Sequence, residues 1–174
     1  MNIRTAERED FPEAMAFFNS MCEELGKKSF LHAGNQGGYP SEEMVKTAIE
    51  EKTLIIGTED SQIMAAVILN HNADPAYENV KWNVEASPSQ VLILHALRVS
   101  PAYGRRGYGR QMVDYCAKTA RRLKQKAIRL DTLDENIISQ KLYLSMGYQF
   151  AGTVEILYED IGKPRILYCY ELVI

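Results

Sequence analysis

Residues 91–110 constrain the fold of this chain more than any other stretch. Val91 to Val99 is apolar on both alternating sets of positions, the pattern of a strand covered on both faces. It runs into a turn holding Gly104, Gly107 and Gly109. From Gly107 to Lys124, Met112, Cys116, Ala120 and Leu123 then recur at helical spacing, and Ala127 to Leu133 is a second β-rich run. A strand, a glycine turn, a helix and a strand make a βαβ unit. Its ordinary crossover predicts that the two strands run parallel.

The turn itself has chemical content. Glycines let backbone approach a ligand closely, the first N–H groups of the helix lack intrahelical acceptors, and the helix dipole favours an anion. With Arg105 and Arg106 beside them, the residues make a seat for a pyrophosphate. A dinucleotide fingerprint needs a third glycine where Met112 stands, although Asp131 lies about where its ribose contact belongs. No Gly-Lys-Ser/Thr follows, so the Walker pattern is absent. A bland tight turn with solvated arginines is the remaining reading.

The other elements follow from periodicity and punctuation. Asn2–Thr5 is a short strand. Asp10, Pro12 and Glu13 read as a capping start for a helix with Ala14, Phe17, Phe18, Met21 and Leu25 inside and Gly26 at its end. Residues 26–40 are loop. Ser41 caps a second helix with Met44, Val45, Ala48 and Ile49 inside. Thr53–Gly57 and Ile63–Leu69 form a hairpin through Glu59-Asp60-Ser61. Residues 70–90 hold a short helix near 75–82. Asp134 or Asn136 opens a helix that Gly147 ends in a left-handed cap, and Tyr148–Tyr158 and Arg165–Val173 are a last strand pair. The order is β α α β β β α β α β β, an α/β chain with a central mixed sheet and helices on both faces.

The 174 residues predict one domain, and 46% apolar with 25% charged content is globular. A net charge of -3 argues against a nucleic-acid partner. Cys22, Cys116 and Cys169 have no disulfide or metal spacing, which suits a reducing cytoplasm and no metal. No apolar run is long enough to span a bilayer, and the first residues lack the apolar core of a signal peptide.

Two motifs carry a resemblance. Leu97-x-Val99-x-Pro101 followed by Arg105-x-Gly107-x-Gly109 at a helix mouth resembles the coenzyme A site of the GNAT superfamily of N-acetyltransferases. Asn136 with Leu142-Tyr143-x-x-x-Gly147-Tyr148 resembles that superfamily's later motif, and the element order is similar over essentially the whole chain. Where the family commonly has Gln or Arg, this chain has Gly104.

The resemblance implies an acetyl-CoA N-acyltransferase fold over residues 1–174, and an activity that moves acetyl from acetyl-CoA to a primary amine of a small molecule, peptide or protein. Leu97 and Val99 would pair with pantetheine and polarise the thioester carbonyl. The amides of Arg105, Arg106, Gly107, Tyr108, Gly109 and Arg110 would hold the pyrophosphate. Asn136 would hydrogen-bond coenzyme A. Tyr143, two helical turns on, would protonate or stabilise the leaving thiolate. His95 and Glu85 are the candidate bases, and Phe30, His32, Tyr39, Tyr77 and Trp82 are candidate acceptor liners. A monomer or a homodimer through the aromatic C-terminal strand fits the pattern. An acyl-CoA-sensing module without catalysis, a nucleotide-binding oxidoreductase and a structural domain are the alternatives.

Overall fold

The computed structural model describes residues 1–26, 39–103, 106–158 and 163–174. The strands are β1 (Asn2–Thr5), β2 (Leu54–Glu59), β3 (Gln62–Asn70), β4 (Val91–Val99), β5 (Ala127–Leu133), β6 (Gln149–Tyr158) and β7 (Lys163–Val173). The helices are α1 (Phe11–Gly26), α2 (Glu42–Glu50), α3 (Tyr108–Arg122) and α4 (Ile137–Ser145). The seven strands follow the order β1-β2-β3-β4-β5-β7-β6. β4 and β5 are parallel, as the βαβ reading predicts, and β5–β7, β6–β7 and β1–β2–β3 are antiparallel. This is the expected mixed α/β fold. The chain divides into two compact units, Met1–Leu69 with Ala96–Met112 and Asn70–His95 with Val113–Ile174.

The first unit is built on the β2–β3 hairpin. Asp60 and Ser61 both have positive φ (49° and 64°), the two-residue turn whose twist suits a hairpin. Ala14, Phe17, Phe18 and Met21 of α1 and Val45, Ala48 and Ile49 of α2 pack with Leu54, Ile56, Ile63, Ala66 and Ile68 in its core. Ser41 caps α2 as expected, its Oγ accepting from Met44 N at 3.2 Å. Asp10 does not cap α1. Its carboxylate takes both guanidinium nitrogens of Arg4 (2.6 and 2.8 Å) and the amide of Glu7 (2.7 Å), closing a 3₁₀ turn over Arg8–Asp10. A bidentate charged pair outcompetes a neutral cap. Glu13 instead accepts from Ile63 N at 2.9 Å.

The second unit holds the start of β4 with β5, β7 and β6. Its core joins Tyr77, Val80, Val91, Ile93, Ala127, Val154, Leu167 and Cys169. Residues 70–90 contain a 3₁₀ turn over Pro75–Asn79 in place of the longer helix expected at 75–82. Asp74 caps it, Oδ1 accepting from Ala76 N at 2.8 Å, and a second 3₁₀ turn covers Pro88–Gln90. Gly147, at φ 89°, ends α4 in the left-handed cap read from the sequence. The link between β6 and β7, residues 159–162, lies outside the described residues.

Candidate active site

The glycine turn belongs to the first unit. Gly107 has φ +75°, and an added Cβ would meet nothing within 4 Å. Backbone conformation, and not crowding, therefore asks for glycine here. The first intrahelical bond of α3 runs from Gln111 N to Gly107 O. The amides of Tyr108, Gly109 and Arg110 precede it and have no acceptor within the helix. Glu59, at the end of β2, holds the side chains behind this mouth. Its Oε2 accepts from Arg106 Nη1 at 2.8 Å and from the Tyr108 hydroxyl at 2.5 Å. The Tyr108 bond, foremost, holds the Glu59 carboxyl below the usual range. Tyr108 itself is buried. Arg105 lies outside the described residues.

Strand β4 is less regular than its sequence. Ala96 has φ +51°, a left-handed residue inside the strand. Strict alternation does not carry across such a point, so two-residue spacing does not put His95 and Leu97 on one face. Beyond it, Leu97 O accepts from Arg98 Nη1 at 3.0 Å, and Ser100 N donates to Met64 O at 2.8 Å, anchoring the end of the strand to β3. Leu97 and Val99 are half-buried.

In the second unit, α4 positions Asn136 and Tyr143. Gln140 reaches back with Nε2 to the carbonyls of Leu133 (3.2 Å) and Asp134 (2.7 Å), fixing the entry to the helix. Asn136 is the N-cap, with Oδ1 accepting from Ser139 N at 3.3 Å. Tyr143 is 5% exposed, and its ring lies 5.6 Å from Tyr148 and 6.3 Å from Tyr170.

The second unit also gathers polar groups on one face of β4 and β5. The parallel register pairs Val91 with Ala127 and Ile93 with Arg129, so His95 and Asp131 are the next residues on that face. His95 Nε2 lies 2.9 Å from the carbonyl of Asn72, which assigns the hydrogen to Nε2 and leaves Nδ1 a lone pair. Burial pushes its pKa down, against the opposing effects of that carbonyl and Asp74. Tyr77 donates its hydroxyl to Asp131 Oδ2 at 2.8 Å. Burial raises the Asp131 carboxyl, Tyr77 opposes the shift, and Asp74 adds to it. Trp82 is 5.2 Å from the Tyr77 ring and donates Nε1 to Tyr77 O, while Arg129 lies 4.4 Å over the indole. Glu85 is exposed.

The family model of the acetyltransferase (GNAT) family matches residues 18–148, more than half of the chain. The chain belongs to the GNAT acetyltransferase family. No curated protein matches it by sequence. Among solved structures, it is similar to a GNAT-family acetyltransferase from Streptococcus agalactiae (TM-score 0.82, 19% identity), over 99% of this chain and 95% of that one. A ribosomal-protein-alanine N-acetyltransferase from Brucella melitensis matches at TM-score 0.74 and 16% identity, over 100% of both chains. A Salmonella typhimurium protein, yncA, described as an acetyltransferase and solved with acetyl-CoA, matches at TM-score 0.71 and 14% identity, over 99% and 93%. At these identities the likeness is one of fold.

The GNAT fold places the sequence-derived residues unevenly. Tyr77 and Trp82 pack together in the second unit, which also holds His95, whereas Glu85 opens to solvent there. Tyr39 is 44% exposed in the first unit. Phe30 and His32 lie outside the described residues. Sequence reasoning missed Asp131 as a partner of Tyr77 and missed the Arg129–Glu171 pair. The available signal was the alternation of Arg129 and Asp131 within a strand otherwise read as core. Among the described residues, no cluster of His, Cys, Asp and Glu could hold a metal, and no helix is long and apolar enough to cross a membrane.

Proposed function

We propose that this GNAT family member moves the acetyl group of acetyl-CoA to a primary amine of a small molecule, peptide or protein, by direct attack in a ternary complex. The reading places it in the cytoplasm, as one catalytic domain, a monomer or homodimer, without a metal. The observation that carries it is the mouth of α3. There, Gly107 in a left-handed conformation is followed by the amides of Tyr108, Gly109 and Arg110, which have no acceptor within the helix.

In this reading those amides, with Arg105 and Arg106, hold the pyrophosphate. Backbone groups of Leu97 and Val99 pair with pantetheine, and one of their N–H groups stabilises the oxyanion as the amine attacks. Asn136 uses its amide nitrogen on coenzyme A, since Oδ1 already caps α4. His95 takes the amine proton on Nδ1, because its burial keeps the imidazole neutral and its Nε2 hydrogen is given to the Asn72 carbonyl. Glu85, being exposed, passes protons to solvent. Tyr143 donates its hydroxyl proton to the departing thiolate and regains one from water. Phe30, Tyr39, Tyr77 and Trp82 line the acceptor side.

Calorimetry with acetyl-CoA, coenzyme A and NAD tests the donor, and thiol release with an amine panel tests turnover. Micromolar acetyl-CoA binding with NAD inert is expected, and absence of binding at millimolar concentration sinks the reading. Binding without turnover of any amine marks a sensing module. Tyr143→Phe is expected to lower kcat by about a hundredfold while leaving coenzyme A affinity nearly intact.

A further inference from the structure

We infer that Asp131, held by Tyr77 on the strand beside that of His95, receives the acceptor's ammonium group and makes a cation the class of substrate this enzyme selects. The inference rests on the acetyl-transfer reading above and adds the residue that recognises the acceptor.

The electrostatics of this face point to a missing positive charge. Asp131 is partly buried, and its one protein hydrogen bond among the described residues comes from the Tyr77 hydroxyl, on Oδ2. Among the described residues, no Lys or Arg pairs with it. Arg129, two residues back on the same face, is committed to Glu171 at 2.9 Å, to Val84 O at 2.8 Å and to the Trp82 ring. Glu171 is in turn neutralised by Arg129, so that pair contributes little net charge to its neighbours. Among the described residues, Tyr77 of the 3₁₀ turn bonds Asp131, Asp74 before it acts on the carboxyl through space, and Cys169 is its register partner on β7, with His95 on the neighbouring strand β4. Asp74 acts on His95, Asp131 and Cys169 in the same direction, raising all three. Burial pushes the Cys169 thiol up to about 12, so it carries no charge at neutral pH. Among the described residues, the face therefore presents carboxylates, a neutral thiol and a neutral imidazole. A buried carboxylate without a cation is costly, and an incoming ammonium group compensates it.

The chemistry balances with groups on this face. The acceptor docks as an ammonium ion against Asp131 Oδ1. An N–H bond breaks and its proton moves to His95 Nδ1, where Asp74 favours the imidazolium. The freed lone pair bonds to the acetyl carbon, the C–S bond breaks with its electron pair on sulfur, the thiolate takes the Tyr143 proton, and the Tyr143 phenolate recovers, through water, the second proton that the nitrogen loses as it becomes the amide. His95 then returns its proton to solvent. Asp131 binds and orients, and is not consumed.

The test compares wild type, Asp131→Asn and Tyr77→Phe. Thiol release from acetyl-CoA is measured with n-butylamine, spermidine, a lysine-containing peptide and an alanine-terminated peptide. Hydroxylamine serves as an amine that is uncharged at the assay pH. Asp131→Asn is expected to raise KM at least tenfold for the charged amine that wild type uses best, leaving acetyl-CoA affinity and the hydroxylamine KM unchanged. Tyr77→Phe removes a bond that favours the carboxylate, so the acid limb of kcat/KM moves to higher pH. Unchanged KM for charged amines in Asp131→Asn overturns the inference, as does an equal loss for hydroxylamine. So does a wild type that binds acetyl-CoA but turns over none of the charged amines. Failure to bind acetyl-CoA at all instead removes the underlying reading. If Asp131→Asn does not fold, the acid limb of Tyr77→Phe decides alone.

Discussion

Arg129 and Glu171 face each other in the β5–β7 register as an ion pair of 2.9 Å whose carboxylate is 1% exposed. The second oxygen of Glu171 accepts the amides of Asn83 (2.7 Å) and Val84 (3.2 Å), and Arg129 donates to Val84 O. One buried pair thus ties an irregular segment, residues 82–84, to two strands. Removing one partner strands the other charge in the interior. Glu171→Ala is expected to destabilise the fold by about 3–5 kcal/mol. Urea denaturation checks this. A loss below about 1 kcal/mol would mean that water reaches the pair.

Tyr148 makes the opposite case. Its ring is 2% exposed, yet among the described residues its hydroxyl has no hydrogen-bond partner, and burial raises its pKa well above the usual phenol range. Desolvating an unmatched hydroxyl costs free energy, while the ring supplies the packing against Tyr143. Tyr148→Phe is therefore expected to stabilise the protein by about 1 kcal/mol and to leave acetyl-CoA binding unchanged. Thermal unfolding decides, and a lower melting temperature would reveal a partner for the hydroxyl in solution.

Strand positions were legible because apolar runs and turn residues agreed. β1, β4 and β5 match their sequence readings at both ends, and the Asp60-Ser61 turn and the Gly147 cap were visible from residue type. Asp10 misled because a cap and a salt-bridge partner carry the same carboxylate, and only the fold brings Arg4 within reach. Ala96 gave no signal, since nothing in an alanine announces positive φ. Residues 70–90 were opaque for a related reason. Their order comes from Glu171 and Arg129, far along the chain, and not from local propensity. The glycine turn and Tyr143 were motif residues and could be named. Asp131 has meaning only once Tyr77 is placed over it.

Glu59 gives a prediction about the phosphate seat. Its carboxylate engages Arg106, so under the proposed function that guanidinium is shared between Glu59 and an incoming pyrophosphate. Gln at this position keeps an acceptor for the Tyr108 hydroxyl and removes the competing charge. Glu59→Gln is expected to tighten acetyl-CoA binding about threefold at low salt, with the gain fading as salt rises. Weaker binding would mean that the charge of Glu59 chiefly holds the loop in place.

Asp131 predicts a pH dependence of stability whose sign separates it from an ordinary paired carboxylate. Its folded-state pKa is raised, chiefly by burial. The unfolded chain therefore releases this proton first as pH rises. The contribution of Asp131 is fully present below the unfolded carboxylate pKa, near 3.9, and is lost as pH rises through the folded value. Asn cannot ionise, yet its carbonyl still accepts from Tyr77. Asp131→Asn should thus match wild type in stability below about pH 4 and exceed it at pH 7, the difference growing across the interval between the two pKa values. Urea denaturation of both proteins from pH 3.5 to 8 reads this directly. A variant less stable than wild type at pH 7 would show a cation already paired with Asp131 in the free protein, leaving no charge for an acceptor to meet.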